Sequence, residues 1–198
     1  MARPKTFDEA RALDAAMHLF WEKGYEATST QDLCEATGLG RSSIYNTFVS
    51  KHALFLRALT RYTEMTTSEQ LALLEDESLP PADRLQGVMA SVVAIEETHR
   101  RAGIGIGCLG VNTTVELSGR DAQVAALLGR DQERRLAALT ATIAAGQSDG
   151  VFSRARRPEE FARFFAAAVA GMRVSAQNGA DRAVIESIAA VALDALTV

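Results

Sequence analysis

At 198 residues, 47% of them hydrophobic and 23% charged, the chain suits one or two globular domains with a proper core and is too apolar for disorder. Its longest apolar run, residues 164–172, is far short of the roughly 18 residues that span a bilayer. Asp8 and Glu9 stand where a secretory leader would be apolar, so a cytoplasmic protein is expected. Cys34 and Cys108 lie in separate segments and form no disulfide framework. The net charge of -4 disfavours nucleic acid when taken whole. Split by position the picture differs: residues 1–61 hold 8 Lys/Arg against 7 Asp/Glu, and residues 62–198 hold 13 against 18. All three lysines (Lys5, Lys23, Lys51) fall in the first part, which is therefore the less repulsive end for a polyanion.

Taken in order, the chain is helical almost throughout. Thr6 and Glu9 form a capping-box pattern. After them Ala10, Leu13, Ala16, Met17, Phe20 and Trp21 recur at helical spacing until Gly24. Ser29 and Asp32 make a second box that opens a helix to Thr37. Gly38-Leu39-Gly40 breaks it, and residues 41–47 form the next short helix, with Leu33, Cys34, Leu39, Ile44 and Phe48 inward. Ser50 caps a long helix over residues 51–75 whose apolar side carries Leu54, Leu59, Tyr62 and Leu73. Pro80-Pro81 forces a break before a helix over 81–99 burying Leu85, Val88, Met89, Val92 and Ile95. Residues 100–107 are too glycine-rich for a helix interior. Helices follow over 108–117, 121–147, 158–177 and 181–196. That makes an all-α chain of nine helices with no convincing strand.

Residues 28–54 have the spacing of a helix-turn-helix. Such a unit needs a small residue in its first helix and a turn residue tolerant of positive φ, which Cys34 and Gly38 supply. The second helix must be polar on one side, as Arg41, Ser42, Ser43 and Asn46 are, and apolar behind, as Ile44 and Phe48 are. An ordinary helical hairpin in an α bundle fits this pattern equally well.

Further residues separate the two. Thr28, Leu33, Ala36, Gly38, Leu39, Ser43, Ile44, Tyr45, Phe48, Ser50, Lys51 and Leu54, with Ala16, Leu19, Phe20, Gly24 and Tyr25 upstream, resemble the DNA-binding segment of the tetracycline-repressor (TetR) family. The likeness covers about residues 8–60; beyond that only the nine-helix architecture agrees. It implies a homodimeric, ligand-responsive transcriptional regulator, most simply a repressor, with residues 1–50 on operator DNA and residues 51–198 binding an effector and dimerising. Thr28, Tyr45 and Lys51 would contact phosphates, which fix register without reading sequence. Arg41, Ser42, Ser43 and Asn46 would face base edges in the major groove, and Arg41 can address guanine bidentately. His52, beside the phosphate-binding lysine, is expected as a solvated surface side chain.

The other motifs carry less. Residues 105–110 satisfy G-x-G-x-x-G, but a dinucleotide site needs a strand before it and a parallel sheet around it, so these glycines are expected to make a bend. Glu96-x-x-His99 is half of a di-iron pattern without its second pair, so an exposed helix end is expected and no metal. Three scattered histidines and two separated cysteines give no convergent catalytic set; neither enzyme activity nor a cofactor is expected. Cys108 is either a small packed residue or a lining of the effector pocket able to sense oxidants or electrophiles, as in some TetR-like regulators.

The last two helices are apolar nearly all round, which implies burial on two sides. Phe161, Phe164, Ala168, Val184, Ile188 and Val191 are therefore expected at a four-helix dimer interface, which would set two heads about one DNA turn apart on a palindrome (roughly 34–36 Å). Apolar or lone polar positions on inward faces nominate the effector pocket: Tyr62, Met65, Met89, Val92, Val93, Cys108, Asn112, Glu116, Phe165 and Met172.

Overall fold

A computed structural model describes residues 8–103 and 106–197. Its helices are α1 (Glu9–Lys23), α2 (Thr30–Thr37), α3 (Arg41–Phe48), α4 (Lys51–Leu74), α5 (Pro81–Arg101), α6 (Leu109–Leu117), α7 (Ala122–Ser148), α8 (Pro158–Gln177) and α9 (Arg182–Asp194). Among the described residues strand pairing is limited to one isolated bridge, Phe152 to Thr197. None of the described helices is long and apolar enough to cross a membrane.

Side-chain caps set most of the helix starts. Asp8 opens α1 by accepting from the amides of Ala10 (3.0 Å) and Arg11 (3.2 Å). Thr6, the expected cap, lies outside the described residues. Ser29 and Asp32 close a reciprocal box on α2: the Asp32 amide donates to Ser29 Oγ and the Ser29 amide to Asp32 Oδ2. Ser50, Asp121 and Asp181 cap α4, α7 and α9. Gly38 ends α2 at φ 68°, in the left-handed region that glycine enters without steric cost. The α3–α4 junction breaks that economy, because Val49, β-branched and exposed, sits at φ 69°.

Two apolar clusters result. A head-side core joins α1, α2 and α3 to the first half of α4 (Leu54, Phe55, Ala58, Leu59, Tyr62), to α6 (Leu109, Leu117) and to the start of α7 (Val124, Leu128). A body-side core joins Leu74, α5, the later part of α7, α8 and α9. In α1 the buried stripe is Ala12, Leu13, Ala16, Met17 and Phe20; Ala10, expected inward, is exposed because the helix packs against both α2 and α4 on the Ala12 side.

The end of α5 departs from expectation. Glu96 is buried, with Arg173 Nη1 3.6 Å away and His99 Nδ1 4.0 Å away, rather than on an exposed helix end. Its neighbour Glu97 takes hydrogen bonds from Arg100 and Arg101, which hold its carboxyl down to about 2. No described group of His, Cys, Asp and Glu has the arrangement to hold a metal ion. Gly107 bends the chain at φ 62° ahead of α6, as the glycine run requires; Gly105 lies outside the described residues.

Candidate nucleic-acid interface and effector cavity

The polar side of α3 is open. Arg41, Ser42 and Asn46 are exposed and Ser43 is half-buried, while Ile44 and Phe48 are each 1% exposed and fix the helix to the head-side core. Charge pairing then sorts the head's cations. Lys23 is bound to Asp32 at 2.6 Å, Arg57 to Glu9 at 2.7 Å, and Arg61 to Asp14 through two guanidinium nitrogens. Arg41 and Lys51 have no carboxylate partner among the described residues. Each instead lies over an aromatic ring, Arg41 5.7 Å from the centre of Tyr45 and Lys51 4.4 Å from that of Tyr25. Arg11 on α1 is also without a carboxylate partner, so the small net charge of this region conceals three uncompensated cations among the described residues, two of them at the start of α3 and α4.

Thr28 requires a correction. It is 1% exposed and its hydroxyl donates to the carbonyl of Gly24 at 2.6 Å, so it holds the α1–α2 turn and presents no oxygen to a phosphate. Ser29 is exposed, but its hydroxyl donates to Asp32 Oδ2 at 2.8 Å within the capping box; half-buried Thr30 is the neighbouring hydroxyl, its Oγ1 3.0 Å from Tyr45 Oη. Thr30 was missed because the resemblance marks a position and not a side-chain direction. His52 is likewise no solvated bystander: its Nε2 is 2.6 Å from Asp121 Oδ2, which ties α4 to the cap of α7.

A cavity of about 270 Å³ opens between the two cores. Tyr62 and Leu128 from the head side meet Leu74, Leu139, Phe165 and Val169 from the body side, with Cys108 and the α6 residues Gly110, Val111 and Thr114 on the wall. Asp131, Arg135 and Arg173 bring charge to it. The Tyr62 hydroxyl donates to Cys108 Sγ at 3.3 Å; burial, and next the neighbouring thiol, push its pKa well above the ordinary phenol value, so it remains a donor.

Of the ten residues expected in the pocket, Tyr62, Cys108 and Phe165 line this wall. Met65 points outward and is exposed, whereas Met89, Val92, Val93 and Met172 are packed into the body-side core. Asn112 is committed to the carbonyl of Ile106 (2.7 Å). Glu116 turns away from the cavity and accepts from the amides of Tyr25 (3.1 Å) and Glu26 (2.8 Å). Gly24 leaves room for that carboxylate, since a Cβ there would come within 3.2 Å of it. A second tie runs from Trp21 Nε1 to the carbonyl of Gly107 at 2.8 Å. Both ends of α6 are thus fastened to the head while its middle borders the cavity.

On α8 and α9, Phe164, Val174, Val184 and Val191 are 45%, 51%, 48% and 64% exposed, and Ala168 and Ile188 are half-buried. Phe161 differs from expectation, being buried in the chain's own body-side core.

An exposed polar helix carried on a helix-turn-helix, with one cation free of carboxylates at its start, another at the start of the next helix and an all-α body behind, defines a DNA-binding protein of the regulator class. Family models agree: residues 12–58 match the model described as bacterial regulatory proteins, tetR family, and residues 81–191 match a tetracyclin repressor-like C-terminal domain. Similar proteins include the HTH-type transcriptional repressor ComR of Escherichia coli (strain K12), 32% identical over 191 residues, 96% of this chain and 90% of that one. The HTH-type transcriptional repressor DhaR of Mycobacterium sp. (strain GP1) is 28% identical over 184 residues, 93% of this chain and 89% of that one. Among solved structures, a cysteine mutant of the TetR family regulator CifR complexed with 26-base-pair operator DNA superposes with a TM-score of 0.83 at 26% identity, covering 98% of this chain and 100% of that one. The chain belongs to the TetR family and is a DNA-binding transcriptional regulator.

Proposed function

We propose that the protein is a homodimeric repressor that binds a palindromic operator and is released when a small molecule enters the cavity between its two cores. Residues 1–50 form the DNA-binding part and residues 51–198 the effector-binding and dimerising part. The observation that carries the DNA side is the pair of unneutralised cations, Arg41 and Lys51, at the exposed start of α3 and α4. Tyr45 and Lys51, with Thr30 in place of Thr28, hold phosphates; Arg41, Ser42, Ser43 and Asn46 address base edges. The apolar strip of α8 and α9 supports pairing with a second copy, because an exposed apolar face of this size on a regulator is most simply covered by its symmetry mate.

Release follows from geometry. A ligand that favours one separation of the heads shifts the population toward it, and only differential affinity does so. One lever is α4, which runs from the head at Lys51 to the cavity wall at Tyr62 and Leu74; the ties of Trp21 and Glu116 add α6 as a second one, since it touches both the cavity and the head. A second reading, in which Cys108 senses oxidants or electrophiles, draws on the thiol's place on the cavity wall beside Tyr62.

Binding to the DNA upstream of its own gene, titrated against salt, tests the reading. We expect Lys51→Ala to weaken the complex by roughly tenfold and to lower the salt slope by about one, with two chains in the complex. Wild-type affinity in Lys51→Ala and Tyr45→Ala, or one chain per site, overturns it. The same assay run on Cys108→Ser with an oxidant decides the second reading, which fails if both proteins are released alike.

A further inference from the structure

Arg173 sits where a guanidinium is costly. Its helix, α8, is otherwise uncharged from Phe164 to Gln177. The residue is 6% exposed, yet it borders the cavity. A guanidinium carries five N–H donors. Among the described residues Arg173 donates no hydrogen bond; its one ion pair, to Glu96 at 3.6 Å, is longer than a hydrogen bond. Removing such a group from water costs several kcal/mol unless its donors are met. Glu96 meets them badly: its facing atom, Oε1, is itself buried without a hydrogen-bond partner, and desolvation raises its pKa and so disfavours its charged form.

The other charges on the wall do not compensate. Asp131 is occupied by Thr67 (2.5 Å) and by Arg135 Nη2 (2.8 Å), leaving Arg135 Nε buried with no acceptor. Of the side chains on the wall one acid stands against two bases. Glu96, off the wall behind Arg173, offsets the remaining charge without accepting a hydrogen bond from Arg173, so what the cavity offers is the unmet donors of that guanidinium. The rest is largely apolar, with Leu128, Leu139, Phe165 and Val169, and the Tyr62 hydroxyl is already committed to Cys108. The volume, about 270 Å³, lies just below the range of about 300–1,000 Å³ typical of small-molecule sites, which favours a compact ligand.

We propose that the cavity takes a small amphipathic organic anion, its carboxylate seated on Arg173 and its apolar body against Leu139, Phe165 and Val169. This rests on the cavity being the effector site, as inferred above. A planar carboxylate matches the guanidinium fork with two parallel hydrogen bonds. A neutral ligand of the same shape leaves the donors unmet, and an ammonium opposes them.

The test is binding of two matched series to the full-length protein by calorimetry: octanoate, octan-1-ol and octylamine, and phenylbutanoate with its alcohol and amine. We expect each carboxylate to bind at least about tenfold more tightly than its alcohol or amine, a difference of about 1.4 kcal/mol. Arg173→Gln should erase that preference while keeping operator binding, which reports that the variant is folded. In wild type alone, the methyl esters should bind like the alcohols, a comparison that needs no variant. Equal binding of alcohol, ester or amine overturns the anion assignment and leaves the effector site standing. Binding of neither series, with operator binding intact, overturns both.

Discussion

The head-side and body-side cores are built from the same kinds of aliphatic and aromatic side chains, but they treat polar groups differently. Around the DNA-reading helices the buried polar side chain is Thr28, and it is satisfied locally by Gly24. The body side buries Glu96, Glu97, Asp131 and Arg173. The buried side-chain atoms without a hydrogen-bond partner among the described residues, Glu96 Oε1, His99 Nδ1 and Arg135 Nε, all belong to α5 and α7. Native interiors satisfy nearly every such group, and exceptions concentrate where function draws on them. The head is a finished object that must hold one shape against DNA. In the body, Arg135 carries such an unmet atom to the cavity wall, shared with Arg173, whose donors are also unmet.

The largest effect that could break this comparison is on the head's interior. Phe20 is wholly buried and meets Phe55 edge-to-face at 5.0 Å. Phe20→Ala should cost about 3–5 kcal/mol and, because the cores are distinct, should melt the head before the body. In a urea titration the loss of operator binding should then precede the loss of most far-UV helical signal. Coincident transitions would make the two cores one cooperative unit.

A smaller effect tests the seam. Glu116→Ala removes the acceptor of the Tyr25 and Glu26 amides, both at the margin of solvent, and should cost about 1–2 kcal/mol. It should also reduce the ligand concentration dependence of operator release, measured by fluorescence anisotropy. Unchanged release would assign the coupling to α4 alone.

The smallest effect has the opposite sign. Val49 at φ 69° is 79% exposed, so its side chain contributes little packing against its backbone strain. Val49→Gly should raise stability by about 1 kcal/mol in thermal melts, with operator affinity unchanged. A loss of stability would show that the junction needs valine.

These contrasts also explain what the sequence made legible. The head's elements are announced locally, by Ser29 with Asp32, by Gly38 and by Ser50, each acting within one helical turn of itself. Helical periodicity likewise marked Leu85, Val88 and Met89 as inward. Periodicity gives the face of a residue but not whether the space opposite is filled. Met89, Val92, Val93 and Met172 point inward and meet partners, whereas Leu139 and Val169 point inward and meet the cavity. Arg173 and Glu96 have the composition of solvated surface, and only their long-range meeting across α5 and α8 buries them. Thr28 shows the converse limit, since a position fixed by family pattern did not fix where its hydroxyl turns.

Trp21, the single tryptophan of the chain, sits with its ring edge-on to Tyr62 at 5.1 Å and to His99 at 5.2 Å while its indole N–H is held by Gly107. Those neighbours belong to α4, to α5 and to the bend ahead of α6, so one ring touches three segments where the head meets the body. Its emission is therefore a built-in optical gauge of the seam. On the proposed coupling, a ligand entering the cavity is expected to shift that emission in the unlabelled protein without DNA present.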